Sequence, residues 1–316
     1  MVDSVAKPGN YTSREGAPPR LAFEVAPAMA GLRLDQALAK LLPQESRSRL
    51  SRLVAEGEVL VDGESVKPRH KLRGGERLEV RLSPRPQEAA FRAEAIDLDV
   101  RHEDAEVLVL AKPAGLVVHP GSGNWAGTML NALLHRVPAL AHLPRAGIVH
   151  RLDKETSGLL VVAKTERAMQ DLVRQLQART VKRTYLALAR GVVGAPGTVD
   201  APIGRHPTQR TKMAVVPGGK PAVTHYRVKE RFAAHTLLEC ELETGRTHQI
   251  RVHLAKIGHP LEGDPVYGPK GARILGRQAL HAWKLAFVHP ATGKTVRFEA
   301  PAPADFVALL EGLRAP

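Results

Sequence analysis

The sequence predicts an α+β protein of two domains, and three observations lead there. The chain has 316 residues, enough for about two hydrophobic cores. Its strand-like runs come in groups and do not alternate strictly with helices, which favours a largely antiparallel mixed sheet over a doubly wound one. The segment Ser83-Pro84-Arg85-Pro86-Gln87-Glu88 breaks the pattern with two prolines, which bar helix and central strand alike. The expected division is a disordered tail over 1–20, a small domain over 21–83, a linker over 84–96 and a large domain over 97–316.

In the small domain, Leu34, Ala37, Leu38 and Leu41 recur at helical spacing, and Pro43 stops that helix. A second helix opens at Ser46 or Ser48, which suit an N-cap, turns Leu50, Leu53 and Val54 inward and ends at Gly57. Val59 and Val61 alternate into the turn Asp62-Gly63, and Arg77–Leu82 reads as a closing strand. In the large domain, strands are expected at Val107–Ala111, Leu159–Ala163, Thr184–Ala189, Val223–Lys229, Thr236–Glu243, Leu280–Val288 and Thr295–Phe298. Helices are expected at Thr128–Arg136, Arg167–Gln177 and Gln249–Ile257.

Hydrophobic residues make up 43% and charged residues 25%, ordinary for a soluble globular chain. The charge balance is not ordinary: 46 Lys and Arg against 32 Asp and Glu give +14. That favours a polyanionic partner, whether RNA, DNA or an anionic membrane, over a protein that is merely basic. No apolar run reaches the roughly 18 residues of a membrane span. Residues 1–20 lack the apolar core of a secretory signal, so a cytoplasmic protein is expected. Cys240 is the only cysteine, which excludes an intramolecular disulfide and a thiolate zinc cluster. It lies in an alternating run and reads as a buried or half-buried strand residue.

The densest chemistry lies in Gly147-Ile148-Val149-His150-Arg151-Leu152-Asp153-Lys154-Glu155-Thr156-Ser157-Gly158-Leu159-Leu160. One carboxylate, Asp153, stands among cations on a glycine-bounded turn before an apolar strand. Such a group can act as nucleophile or base, although an Asp in a glycine-rich loop is more often a turn or cap residue. A second cluster is Glu243-Thr244-Gly245-Arg246-Thr247-His248-Gln249-Ile250-Arg251-Val252-His253. His248 and His253 are five apart, off one helical face, so no metal site is expected. A third, Lys182-Arg183-Thr184-Tyr185, places a phenol beside basic residues in a chain with only 4% aromatics. There is no Walker-type phosphate loop and no dinucleotide fingerprint, so no cofactor is expected.

These segments resemble the motifs of the RluA/RluD family of RNA pseudouridine synthases. The stretches RHPTQRTKMAV and GKPAVTHYRV, with Lys112–Gly121 and Gly263–Gly268, carry the likeness across nearly the whole chain beyond the tail. The resemblance implies a long bent mixed sheet with a central cleft, and isomerisation of uridine without cofactor. It implies Asp153 as catalytic carboxylate, Tyr185 stacking on the target base, and Arg246 pairing with Asp153. A guanidinium beside a carboxylate favours its charged form. Arg151 and His150 are expected to bind the substrate, Arg151 by filling the gap left by an extruded uridine, because chemistry on a stacked base needs flipping.

Arg205, Arg210 and Lys212 are expected in an RNA-gripping loop, and Lys112–Gly121 and Gly263–Gly268 as architectural turns. The small domain resembles the S4 RNA-binding domain, with Arg47, Arg49 and Lys71 on its expected RNA face. Within the family the motifs are most similar to the D group, which acts on uridines in the helix-69 stem-loop of large-subunit ribosomal RNA. A monomer with ribosomal RNA as partner, no membrane and no metal is therefore expected. A non-catalytic RNA-binding or ribosome-assembly factor, a sister synthase acting on other uridines, and a base-excising glycosidase are the alternatives.

Overall fold

A computed structural model describes residues 20–82, 90–121, 123–271 and 273–315. The expected tail (save Arg20) and residues 84–89 of the expected linker lie outside them. The chain forms two compact units, Met1–Glu88 and Ala89–Pro316.

In the first unit, β1 (Arg20–Glu24), β2 (Val59–Val61), β3 (Glu64–Ser65) and β4 (Arg77–Arg81) form a sheet in the order β1-β4-β2-β3. Asp62 and Gly63 both take positive φ, the conformation a tight hairpin turn demands between β2 and β3. Helix α1 (Leu34–Leu41) and helix α2 (Arg47–Ala55) bury Leu34, Leu38, Leu50 and Leu53 against Val59, Leu78 and Val80. Ser46 caps α2 by accepting the Arg49 N–H at 3.3 Å. Strand β1 was not expected, since its five residues offer only Leu21 and Phe23 as alternating apolar positions.

The second unit is built on a nine-stranded sheet. Its strands are β5 (Val100–Glu103), β6 (Val107–Lys112), β7 (Ser157–Ala163), β8 (Lys182–Arg190), β9 (Gly197–Asp200), β12 (Val223–Arg231), β13 (His235–Leu242), β14 (Leu280–Val288) and β15 (Thr295–Glu299). They run in the order β5-β6-β7-β14-β8-β13-β12-β9, with β15 also paired to β14. Every pair is antiparallel except β7 with β14, so the expected mixed, largely antiparallel sheet is present. A hairpin of β10 (Ile203–Arg205) and β11 (Met213–Val215) lies outside that sheet.

The sheet is apolar on both faces, which explains the unbroken apolar run of β7. Leu160 and Val162 join one cluster with Leu108, Tyr185, Ala187 and Cys240. Leu159, Val161 and Ala163 join another on the opposite face. Helix α3 (Met129–Arg136) and helix α5 (Gln249–Lys256) pack on the first face, and helix α4 (Glu166–Gln177) on the second. Helix α6 (Ala304–Arg314) was not expected, although Phe306, Leu309, Leu310 and Leu313 carry helical spacing. Cys240 is fully buried, and burial pushes its thiol up to about 12.

One irregularity positions the site. β14 meets β7 over only two residue pairs, His281 with Ser157 and Ala282 with Gly158, and then takes β15 as its neighbour on that side. The sheet opens there. Gly158 has φ +111, and a side chain on it would collide with the Ala282 carbonyl oxygen. The loop of residues 147–156 leads into this opening.

Candidate active site

The loop that carries Asp153 is fixed along its length. At its start, Arg145, Ala146 and Gly147 all have left-handed φ, and a Cβ on Gly147 would strike the Ala163 carbonyl oxygen. Ile148 pairs with Val162. Past Asp153, the buried Lys112 ammonium donates to the carbonyls of Pro113 at 2.7 Å, Leu116 at 2.9 Å and Lys154 at 2.9 Å. The Gly115 N–H also donates to Lys154 O. Arg277 donates to Glu155 O at 3.2 Å, and Gln278 to the Thr156 hydroxyl at 3.3 Å. The expected turn Lys112–Gly121 is therefore a staple on the Asp153 loop. Burial pushes the Lys112 amine down to about 7, against the pull of Glu155 and Asp153.

Asp153 is half-buried, and its guanidinium partner is Arg251. Arg251 Nη1 donates to Asp153 Oδ2 at 3.0 Å, while Nε and Nη2 donate to Asp264 at 2.7 and 2.9 Å. One planar fork thus bridges two carboxylates. Burial works to lower the Arg251 pKa, but Asp264 and Asp153 outweigh it, and the group is held above its ordinary value. Burial likewise works to raise Asp264. The Arg251 contacts and the N–H groups of Val266 and Tyr267 outweigh it and hold the carboxyl below its ordinary value.

Arg246, the expected partner, does not reach Asp153. It lies before helix α5, half-exposed, and its Nε donates to Pro221 O at 3.1 Å. Arg251 lies inside the helix, where Ile250, Val252 and Leu254 are buried beside it. A guanidinium within such an apolar run must be paired to be stable there, and that was the signal available in the sequence.

Asp264 and Tyr267 were expected only as part of an architectural turn. The structure gives both a place in the site. Met213 N–H donates to the Tyr267 hydroxyl at 2.9 Å, and that hydroxyl pairs with His248 Nδ1 at 2.8 Å. His248 Nε2 lies 3.9 Å from Asp153 Oδ1. Burial pushes His248 below its ordinary pKa, which favours the neutral ring with its proton on one of the two nitrogens. A line of groups therefore runs from hairpin β10–β11 to the carboxylate. His253 uses both ring nitrogens, on the Thr224 hydroxyl and the Ala201 carbonyl.

Tyr185 is buried in β8, in one cross-strand row with Cys240 on one side and Ala282 and Gly158 on the other. Burial raises its phenol above the ordinary value, Asp153 adds to that and Arg183 opposes it. The phenol is protonated at neutral pH and presents a flat face with an O–H donor.

His150 accepts the Val161 N–H through Nε2 at 3.1 Å, a donor freed where β7 parts from β14. Burial, reinforced by Arg183, pushes the imidazole down to about 3. Its acceptor nitrogen is spent on the fold, so the ring acts as a brace for the loop. Arg151 is exposed and, among the described residues, has no ion pair.

The other expected RNA contacts fall into two groups. Arg205 and Arg210 are exposed on the β10–β11 hairpin, where Arg205 donates to Arg210 O at 2.9 Å; Lys212 is half-buried beside them. In the first unit, Lys71 is exposed. Arg47 is tied to the buried Asp35 at 2.9 Å, and Arg49 is turned onto Glu45 at 3.1 Å with its side chain 13% exposed. Arg49 thus offers little free charge, because its cap-side position in α2 sets it one helical turn from Glu45.

Two family models match the chain: RNA pseudouridylate synthase over residues 106–256 and S4 domain over residues 32–78. A Nitrosomonas europaea protein named Ribosomal large subunit pseudouridine synthase D is 58% identical, over 90% of this chain and 86% of its own. A Neisseria meningitidis serogroup A protein of the same name is 54% identical, over 93% and 82%. The structure of Human RNA Pseudouridylate Synthase Domain Containing 1 aligns with a TM-score of 0.54 at 26% identity, covering 71% of this chain and 97% of that one. With this sheet, these turns and this extent of identity, the chain belongs to the RluA/RluD family of RNA pseudouridine synthases, enzymes that isomerise uridine in RNA, and it carries an S4 domain at its N-terminal side.

Proposed function

We propose that this enzyme converts uridines of large-subunit ribosomal RNA, those of the helix-69 stem-loop, with Asp153 as the catalytic carboxylate. The names of the relatives support the ribosomal target, and the net charge of +14 suits a polyanion. One observation carries the role of Asp153. It is a carboxylate on a loop stapled from both ends, paired to a buried guanidinium and close enough to Tyr185 for its charge to act on the phenol.

The reaction separates C1′ of the ribose from N1 of the base and rejoins C1′ to C5. When the N1 bond breaks, its electron pair leaves with the uracil. Asp153 serves the sugar side, by bonding to C1′ or by taking a sugar proton, and both routes need the carboxylate at the same place. Arg251 fixes its orientation. Tyr185 offers a face for the detached uracil to lie against while it turns. C5 bonds to C1′ as Asp153 is released from C1′ or returns its sugar proton; the C5 proton then leaves to the freed Asp153 carboxylate, or to the Tyr185 oxygen once the phenol has given its own proton to the base, and N1 ends protonated. Arg151, exposed on the same loop, stacks in the vacancy of the flipped nucleotide on this reading.

Asp153→Asn keeps the shape and removes the charge. The expected result is loss of pseudouridine formation with RNA affinity within about threefold of wild type, since one carboxylate adds nothing to phosphate binding. Carbodiimide labelling with primer extension reads the product, and turnover by the Asn variant would overturn the assignment. Mapping pseudouridine in ribosomal RNA from cells lacking the protein tests the target.

A further inference from the structure

Arg183 is a buried cation that the chemistry above does not use. It is 7% exposed, on strand β8 two residues before Tyr185, so both side chains leave the same face of the sheet. Among the described residues it forms no ion pair. Its Nε is buried without a hydrogen-bond partner, and Nη2 has one long contact, 3.4 Å, to the Glu243 carbonyl. The neighbouring backbone makes room for it: a Cβ on Gly245 would come within 2.6 Å of Arg183 Nη1. An Arg is almost never buried without a carboxylate, because desolvation is costly. Burial does lower its pKa, but from a starting value so high that it stays charged at neutral pH. A cost of this kind, retained beside a reactive phenol, calls for a transient anion.

The reaction generates one. Breaking the N1 bond heterolytically leaves the pair on the uracil, whose charge spreads over N1 and the two ring carbonyls. That anion forms where Asp153 and Asp264 already share a single guanidinium, Arg251. We propose that Arg183 stabilises the detached uracil anion by its charge, acting across the dry face it shares with Tyr185. It is a positioning charge, not a contact residue, and the inference rests on the uridine-isomerising reading with Asp153 at the sugar. A fixed cation in a water-excluded site is worth far more than in solvent and needs no reorganisation when the charge appears.

The test compares two leaving bases in one RNA stem-loop, uridine and 5-fluorouridine, under single-turnover conditions. The readout is loss of the N1-linked nucleoside. Fluorine makes the uracil anion intrinsically more stable, so it needs less help from the protein. Arg183→Met is expected to slow cleavage of the uridine substrate by about 10²-fold, the usual effect of losing one preorganised electrostatic group. The deficit should shrink by about tenfold or more with 5-fluorouridine, with RNA affinity unchanged. An equal deficit on both bases would overturn the proposal, because a merely structural role does not respond to the leaving group.

If Arg183→Met does not fold, Arg183→Lys and Arg183→Gln carry the test. The lysine variant should exceed the glutamine variant on uridine and approach it on 5-fluorouridine, and equal rates would overturn the proposal. Failure of the underlying reading is distinct, since wild type would then give no pseudouridine or Asp153→Asn would retain turnover.

Discussion

Arg251 holds Asp153 at 3.0 Å with one nitrogen while its other two polar nitrogens are committed to Asp264. The orientation of the Asp153 carboxylate therefore depends on a second carboxylate with no direct contact to it. Arg251→Met would leave Asp264 buried and unpaired, and is expected to cost about 3–5 kcal/mol of stability and abolish activity. Arg251→Lys keeps a charge but cannot span both carboxylates, so it should fold and remain largely inactive. Denaturant melts beside single-turnover rates separate the two effects.

Asp264→Asn isolates the supporting carboxylate. Its amide oxygen can still accept the N–H groups of Val266 and Tyr267. The charged bonds to Arg251 are weakened, at an expected cost of about 1.5–3 kcal/mol. The turnover rate should fall while KM for RNA stays near wild type, because no phosphate contact is touched. A change in KM alone would contradict this role.

Tyr267→Phe removes one hydroxyl with two duties, to Met213 N–H and to His248. Each lost bond is expected to cost about 1 kcal/mol. The Met213 amide should exchange with solvent faster in hydrogen-exchange measurements, and binding to the RNA stem-loop should weaken as the hairpin loosens. An unchanged Met213 amide would show that the hairpin is held by other means.

Lys112 gives a pH dependence whose sign follows from its shift. Its pKa in the fold is about 7, below the ordinary 10.5, so between these values the unfolded chain binds more protons than the folded one. This group's contribution to stability therefore rises across that window and is lost as pH falls through about 7. Wild type compared with Lys112→Met should gain stability with pH on the order of 1 kcal/mol per unit across it. Denaturant titrations at pH 6, 8 and 10 read the difference, and a flat difference would mean that the amine is not desolvated.

Much of the molecule was legible in the chain because its signals were local. The apolar alternation of β8 and β13, the stripe of α4 and the Asp62-Gly63 turn each follow from neighbouring residues. Strand β1 and helix α6 were missed, the first because five residues carry little pattern, the second because its stripe follows an acidic, proline-rich lead-in. In the site, the Asp153 loop stood out through its composition.

Its partner did not, because the choice between Arg246 and Arg251 depends on where helix α5 begins. His248 takes a left-handed φ of 57 just before the helix, with Arg246 turned to Pro221 and Arg251 to Asp153 and Asp264. No spacing rule reports that turn. The role of Asp264 was hidden for a related reason: a Gly-Asp-Pro turn looks the same whether its carboxylate faces water or a buried guanidinium.

The two residue pairs that join β7 to β14 bring Ser157 beside His281, 124 positions later in the chain. Arg277 and Gln278, which brace the same loop, also come from that late segment. During synthesis the ribosome releases Asp153 long before Arg251, Arg277 and Gln278. A nascent chain lacking its last quarter has Lys112 to hold Lys154 but neither Arg251 nor the Arg277 and Gln278 brace, so the site is completed only late in synthesis. An enzyme that rearranges bonds in RNA is thus assembled with its site completed last.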